Sequence, residues 1–531
     1  MKTELYSLVA AVALLGAPAM LHAQAGALDP TFNGTGYVIA PVNDLDNAQK
    51  ILVQEDQKVL LIGMSFDATY TARAYVFRYL PDGTPDPDFA INGVFTYELD
   101  NEADIYSAVL THDGKILLAG GTTDYQTYRL LLIQLNADGT LDNSFGTNGV
   151  LAQSISVVTA NAEDIAYDIT LDAVGNIIVC GSTFNEDYVR RPFVARFSAN
   201  GVFDTSFGLN GIASIPVLAV GGNSFQGVVV QPDGKIVASG YFGNSELWYV
   251  MLLVRFEADG SLDPTFGDAG VVKYNHGNVD DEGEDLKLTP DGSILVCGVT
   301  VTQTYNYSAL LAKFTSVGEL DTTFGNLGTV TEDLANFDFA SNLLIQSDGS
   351  IMMAGSSGVG PPGSFDQAVW KYHADGTRDA SFGTNGLSQP AIPDHYTMIY
   401  AMAEQADGKI LIGGQARTTM NENYFYVARI QNDISTGITE RSTSMDALVF
   451  PDPATAGTSV TVQANAPIAA DAQLSLYATD GRLVFRTPTA LLAREAGRVS
   501  FQLPGDIAPG AYKLTIQQQG MRFVSTLVIT Q

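Results

Sequence analysis

One short pattern returns seven times along the chain: an Asp, a Phe three residues later, and a Gly four residues after the Phe. The copies centre on Phe32, Phe89, Phe145, Phe207, Phe266, Phe324 and Phe382, so successive copies lie 57, 56, 62, 59, 58 and 58 residues apart. So regular a period means a repeat architecture, in which each unit buries its apolar face against a neighbour of the same kind.

The second unit shows what a repeat contains. Gly93 to Leu99, Ile105 to Thr111, Ile116 to Gly120 and Arg129 to Leu135 have strand length and β-rich composition, and Asp113-Gly114 and Asp138-Gly139 stand at breaks between them. An Asp-Gly step supplies the positive φ of a tight hairpin. The same turn recurs at Asp233-Gly234, Asp291-Gly292, Asp348-Gly349 and Asp407-Gly408, with looser versions at Glu55 to Lys58 and Ala173 to Asn176. Four antiparallel strands per unit without helices predict an all-β fold: a seven-bladed β-propeller of four-stranded repeats over residues 26–432. The first Asp-x-x-Phe element, Asp29 to Phe32, precedes any complete unit, and the seventh unit ends at Ile430 without one. The N-terminal segment is therefore expected to dock beside the last blade and close the ring.

Composition narrows the partners. With 27 Lys and Arg against 58 Asp and Glu the formal charge is −31, a field that repels nucleic acid and anionic head groups. Residues 1–25 read as a secretory signal: Lys2, an apolar core from Leu5 to Leu21, then Ala23 and Ala25. Cys180 and Cys297 occupy the same position of two different repeats, too far apart to bridge, and are expected to be buried and unpaired.

A different unit follows a Ser- and Thr-rich linker at 433–446. Residues 447–531 hold seven short β-rich runs, from Leu448-Val-Phe450 to Phe523–Ile529, and predict a small β-sandwich.

Two resemblances follow. Asp-Gly-Lys-Ile, then Arg-Phe, Asp-Gly and Leu-Asp-x-Thr/Ser-Phe-Gly in fixed order resembles the delta-60 repeat family of bacterial exported proteins, which implies a propeller-like fold and no agreed activity. Phe450-Pro451-Asp452-Pro453-Ala454, then Asp480-Gly481-Arg482-Leu483-Val484 and Pro509-Gly510-Ala511-Tyr512, is similar to the type IX secretion C-terminal sorting domain of Bacteroidetes. That resemblance implies recognition by the type IX secretion machinery, passage through the periplasm, and a secreted or cell-surface product.

Residues constant in every repeat are expected to serve the fold. The motif Asp and the cation at Arg78, Arg196, Arg255, Lys313, Lys371 and Arg429 are expected to pair near the blade junctions, and the recurring Phe to plug the space between blades. Function is then sought where the repeats differ. In an up-and-down meander the Asp-Gly turns and Phe-Gly connectors share one face, and the variable loops share the other. On that second face the sequence places Tyr125, Tyr128, Tyr188, Trp248, Tyr249, Tyr305, Tyr307 and Tyr424, together with acidic stretches at Asn43 to Asp46, Asp100 to Asp104 and Asn278 to Asp285. Aromatic rings among carboxylates suit stacking on sugars or gripping an extended peptide. The bland alternative is that these rings seal the outer strands.

Asp280, Asp281, Glu282 and Asp285 offer oxygen ligands to calcium without the spacing of an EF-hand loop; no other metal or cofactor is expected. His112, His276, His373 and His395 are the only histidines beyond the signal, and no Gly-x-Ser-x-Gly, His-Glu-x-x-His or Cys-x-x-Cys is present. The expectation is a monomeric, secreted binding protein, more readily not an enzyme, for a glycan or peptide ligand. The alternatives are a carbohydrate-active hydrolase or lyase using acidic residues on the variable face, and a purely structural adhesion component.

Overall fold

The computed structural model describes residues 24–432 except 98–101, 124–126, 156–162, 185–188, 217–221, 244–247, 278 and 360–364. It also describes 447–530 except 451–453, 465–472, 479–482, 489–492, 496–497, 506, 508 and 519–520. The signal segment and the linker lie outside the described residues. Contacts divide the chain into Met1–Asp433 and Ile434–Gln531. Among the described residues no helix is long and apolar enough to cross a membrane.

The first unit is seven antiparallel four-stranded blades, as the repeat count predicts. In the first blade the strands are Leu45–Val53, Val59–Phe66, Ala72–Tyr79 and Val94–Tyr97, and the order repeats around the ring. The first strands touch one another in succession, and the last, His395–Glu404, returns to Leu45–Val53. They therefore form the inner wall. The last blade takes its fourth strand from the N-terminus: Tyr37–Ala40 pairs with Asn423–Ile430 through Tyr37↔Ala428 and Ala40↔Phe425. Closure happens as the two chain ends imply.

The repeated residues explain the ring's cohesion. All seven motif Phe are buried, and Phe89 packs among Ile62 and Val76 of one blade and Ile105 and Leu131 of the next. Each motif also sends a backbone N–H to the neighbouring blade's turn, from Asn33 to Asp82, Ala90 to Asp138, Gly146 to Asn200 and so on to Gly383, which donates to Ala25. The expected ion pairs form as well. Arg78 Nε to Asp86 is 2.8 Å, Arg255 Nε to Asp263 is 2.6 Å and Lys313 to Asp321 is 3.1 Å. In the repeat with Gln134 in place of the cation, Lys115 of the Asp-Gly turn reaches Asp142 at 2.9 Å. Turn and motif thus share a face, which leaves the variable loops on the other. Cys180 and Cys297 are buried, unpaired and in separate cores.

The second unit has two sheets, one of four strands and one of five, closed over a core that includes Val460, Leu476, Phe501, Leu514 and Leu527. Among the described residues it contains nine strands rather than seven, because Ala454–Thr455 and Ala493–Glu495 are too short to show a sequence period.

Candidate functional site

The inner strands are not regular. In each, the pairing with the second strand slips by one residue, leaving Gln49, Tyr106, Tyr167, Gln226, Glu284, Ser341 and Tyr400 as the extra residue of a β-bulge. A bulge leaves one residue out of the ladder and re-aims its side chain. All seven of these residues line one cavity of about 150 Å³ on the ring axis.

The cause lies in the second strand. Gly63, Gly120, Gly181, Gly240, Gly298, Gly355 and Gly414 recur there, and the inner strand's carbonyl folds over each. A Cβ on Gly298 would sit 1.9 Å from the Glu282 carbonyl oxygen, and one on Gly120 1.8 Å from that of Asp104. Only glycine permits this approach. These glycines lie inside the strands, Gly120 within Ile116–Thr123, and tight backbone approach is their role.

In several blades the bulge residue or the one after it reaches toward the next blade. Ser107 Oγ donates to Asp168 at 2.7 Å, Asp168 accepts from the Val228 N–H at 3.0 Å, and Asp285 accepts from the Leu343 N–H at 2.8 Å. Ser341 Oγ and Asn342 Nδ2 donate to the carbonyls of Ile399 and Tyr400 at 2.8 and 2.9 Å. Lys50 lies 3.8 Å from Asp168, two blades away, which makes this the channel's narrow waist.

Three carboxyl groups of the inner strands are perturbed, and of these Glu284 lines the waist. Burial, reinforced by the neighbouring Asp285 charge, pushes Glu284 up to about 7. Burial, with Glu284 and Asp280 adding, does the same to Glu282, and burial with Glu102 does so to Asp104. Asp104 and Glu282 stand two residues before Tyr106 and Glu284, one step nearer the loop face. Tyr106 meets Tyr167 edge to face with centroids 5.2 Å apart. Together these groups can stack, accept hydrogen bonds and hold a proton near neutral pH.

Six segments, 112–145, 175–207, 231–266, 289–324, 346–382 and 405–433, match a family model described as a domain of unknown function (DUF5122) beta-propeller. The chain is a β-propeller repeat protein. Among solved structures, a GH43 beta-xylosidase/alpha-arabinofuranosidase from a compost microbial metagenome is 11% identical at a TM-score of 0.28, over 71% of this chain and 96% of that one. A glucose dehydrogenase is 14% identical at 0.34, over 61% and 95%, and the native Bacillus subtilis arabinanase is 9% identical at 0.28, over 61% and 93%. Likeness this slight carries no argument about chemistry. No curated protein matches the sequence.

The propeller distributes the aromatic candidates along its blade seams. Tyr125 and Tyr188 lie outside the described residues. Tyr128, Tyr249 and Tyr307 begin the third strands of their blades and are half-buried: Tyr307 stacks on Phe337 with centroids 4.9 Å apart, and Tyr249 meets Tyr241 at 4.9 Å. Trp248 adjoins Tyr249 and is half-buried, and Tyr424 donates to Glu422 at 2.9 Å. Among the described candidates only Tyr305, 62% exposed in a turn, presents its ring freely.

The acidic candidates divide by depth. Asp46 accepts from the N–H groups of Val42 and Asn43, and Asp281 from that of His276, so both fasten the loop before their own strand. Asp280 accepts from the Tyr249 N–H at 2.7 Å, while Asp285 holds Lys287. Asp280, Asp281 and Asp285 thus have separate partners along one strand, and Glu282 has none among the described residues. Among the described residues no group of three or more acidic, His or Cys side chains could hold a metal ion.

Sequence reasoning passed over the bulge ring. A glycine recurring within strands, opposite a position that varies from blade to blade, was the available signal.

Proposed function

We propose that this propeller is an exported binding protein whose glycan or peptide ligand enters the axial channel from the variable-loop face. One observation carries the reading. Positions that serve the fold repeat their residue, whereas the bulge position holds Gln, Tyr, Tyr, Gln, Glu, Ser and Tyr on structurally equivalent backbone. A position that varies where geometry is constant is not dictated by the blade, and here it converges on a cavity. The N-terminal signal and the resemblance of residues 447–531 to a sorting domain support export through the type IX machinery to the cell surface or medium.

A glycan and peptide array probed with the mature protein tests this, with and without calcium. Selective binding that Tyr167→Ala abolishes supports the channel; binding that this variant leaves intact refutes it.

A second reading, a carbohydrate-active hydrolase, has its own support. A carboxyl group with a pKa near 7 is suited to general acid work, and Asp104, Glu282 and Glu284 all have one. Release of a shortened product from a bound glycan selects it.

A further inference from the structure

Three cations reach the channel lining, and each already holds a carboxylate. Lys50 faces Asp168, Lys287 donates to both oxygens of Asp285 at 2.7 and 2.9 Å, and Arg190, which also reaches the Tyr167 hydroxyl, is paired with Glu163. Three carboxyl groups of the inner strands are left over, and of these Glu284 lines the cavity. Among the described residues no hydrogen bond or ion pair engages the side chains of Asp104, Glu282 or Glu284, and only burial and like charges act on them. Asp104 is the extreme case, with 5% of its surface exposed. Burying a carboxylate without a partner is costly, so such a group is either protonated or completed from outside by a cation.

The cation is larger than a metal ion, since no three acidic groups among the described residues converge closely enough to hold one. The remaining lining describes its carrier. Gln49, Gln226 and Ser341 present hydrogen-bonding groups, and Tyr106 and Tyr167 present ring faces that attract an ammonium and stack on a sugar. Such a wall suits a hydroxyl-rich ring better than an aliphatic stem. A cavity of about 150 Å³ suits a terminal group rather than a whole chain.

We infer that the channel receives the protonated amine of an amino sugar at the end of a glycan, held between the unpartnered Glu284 carboxylate and the tyrosine rings. The inference rests on the channel being the ligand site, and its test separates the two.

Titration calorimetry of the full mature chain at neutral pH compares a β-linked glucosamine trisaccharide with its N-acetylated counterpart. Wild type is set beside Glu284→Gln, first shown to fold with a single cooperative melt. The expected result is at least tenfold tighter binding of the free amine, a preference that Glu284→Gln loses. Equal affinity for both sugars, abolished by Tyr167→Ala, overturns amine recognition and keeps the channel. A lysine peptide bound in place of either sugar overturns the saccharide assignment. No binding of any probe overturns both readings.

Discussion

Asp29 and Arg429 stand 400 residues apart in the chain and 2.8 Å apart in the fold, Arg429 Nε donating to Asp29 Oδ2. This is the same tie that Arg78 makes to Asp86 within eight residues, so the ring is sealed with the bond that builds every blade. Lys409 and Thr31 complete the Asp29 carboxylate, and Arg429 continues to the Pro81 carbonyl of the first blade. Asp29→Ala strips a buried guanidinium of its partner and is expected to cost about 3–5 kcal/mol by chemical denaturation. A loss below ~1 kcal/mol means the closure is held elsewhere.

The internal pair offers a cleaner measurement. Asp263 is fully buried and accepts from Arg255, Lys235 and Thr265. In a double-mutant cycle, Asp263→Ala and Arg255→Ala should couple by roughly 1–3 kcal/mol, the double mutant losing less than the sum. Additive losses would show that the pair is not a unit.

Gly298→Ala tests the origin of the bulge. Its Cβ would lie 1.9 Å from the Glu282 carbonyl oxygen, a backbone atom that cannot rotate away. The expected loss is about 1–3 kcal/mol, with ligand binding falling further because Glu282 and Glu284 must move. An alanine tolerated with binding intact would contradict the account of the channel.

Two sets of carboxylates give stability opposite slopes in pH. Hydrogen bonds from Ser144 and Lys115 hold Asp142 down at about 2, and those from Thr289 and the Ser293 N–H hold Asp291 at about 2. Their contribution is full above the unfolded value of about 3.9 and disappears as pH falls through 2. Glu282 and Glu284, raised to about 7, act in reverse: the fold binds their protons more tightly than the unfolded chain does. Stability from these two is present below about pH 4.3 and is lost as pH rises through 7. Melting temperature should therefore peak on the acid side of neutrality, and Glu284→Gln should flatten the upper limb. An unchanged upper limb in that variant would place the perturbation elsewhere.

The sorting role of the second unit is open to a direct trial. Deleting residues 447–531 should leave the propeller folded and retained in the periplasm. Fractionation that finds the truncated chain outside the cell would reject the role.

How far the sequence could be read differs between scaffold and site. The Asp-x-x-Phe spacing and the Asp-Gly turns each do one local job seven times, so strand order, blade number and the Asp-to-Arg ties were all legible. The channel was not, because its elements are separated by about 58 residues and meet only when the ring closes. Glu284 and Tyr167 carry no motif, and the slip that brings them together depends on a carbonyl resting over Gly298 or Gly181. The tyrosines at the strand starts were legible as aromatic and β-favouring. Whether Tyr307 would face solvent or stack on Phe337 depended on the neighbouring blade, which the period alone does not orient.

The central claim is that ligand is held by the bulge ring rather than by the loop tyrosines. Affinity for whichever glycan or peptide the array selects should be measured for Tyr167→Ala and Glu284→Gln beside Tyr305→Ala, all in the mature chain. The account predicts a loss of tenfold or more in the first two and little change in the third. Loss confined to Tyr305→Ala would contradict it and return the site to the loops.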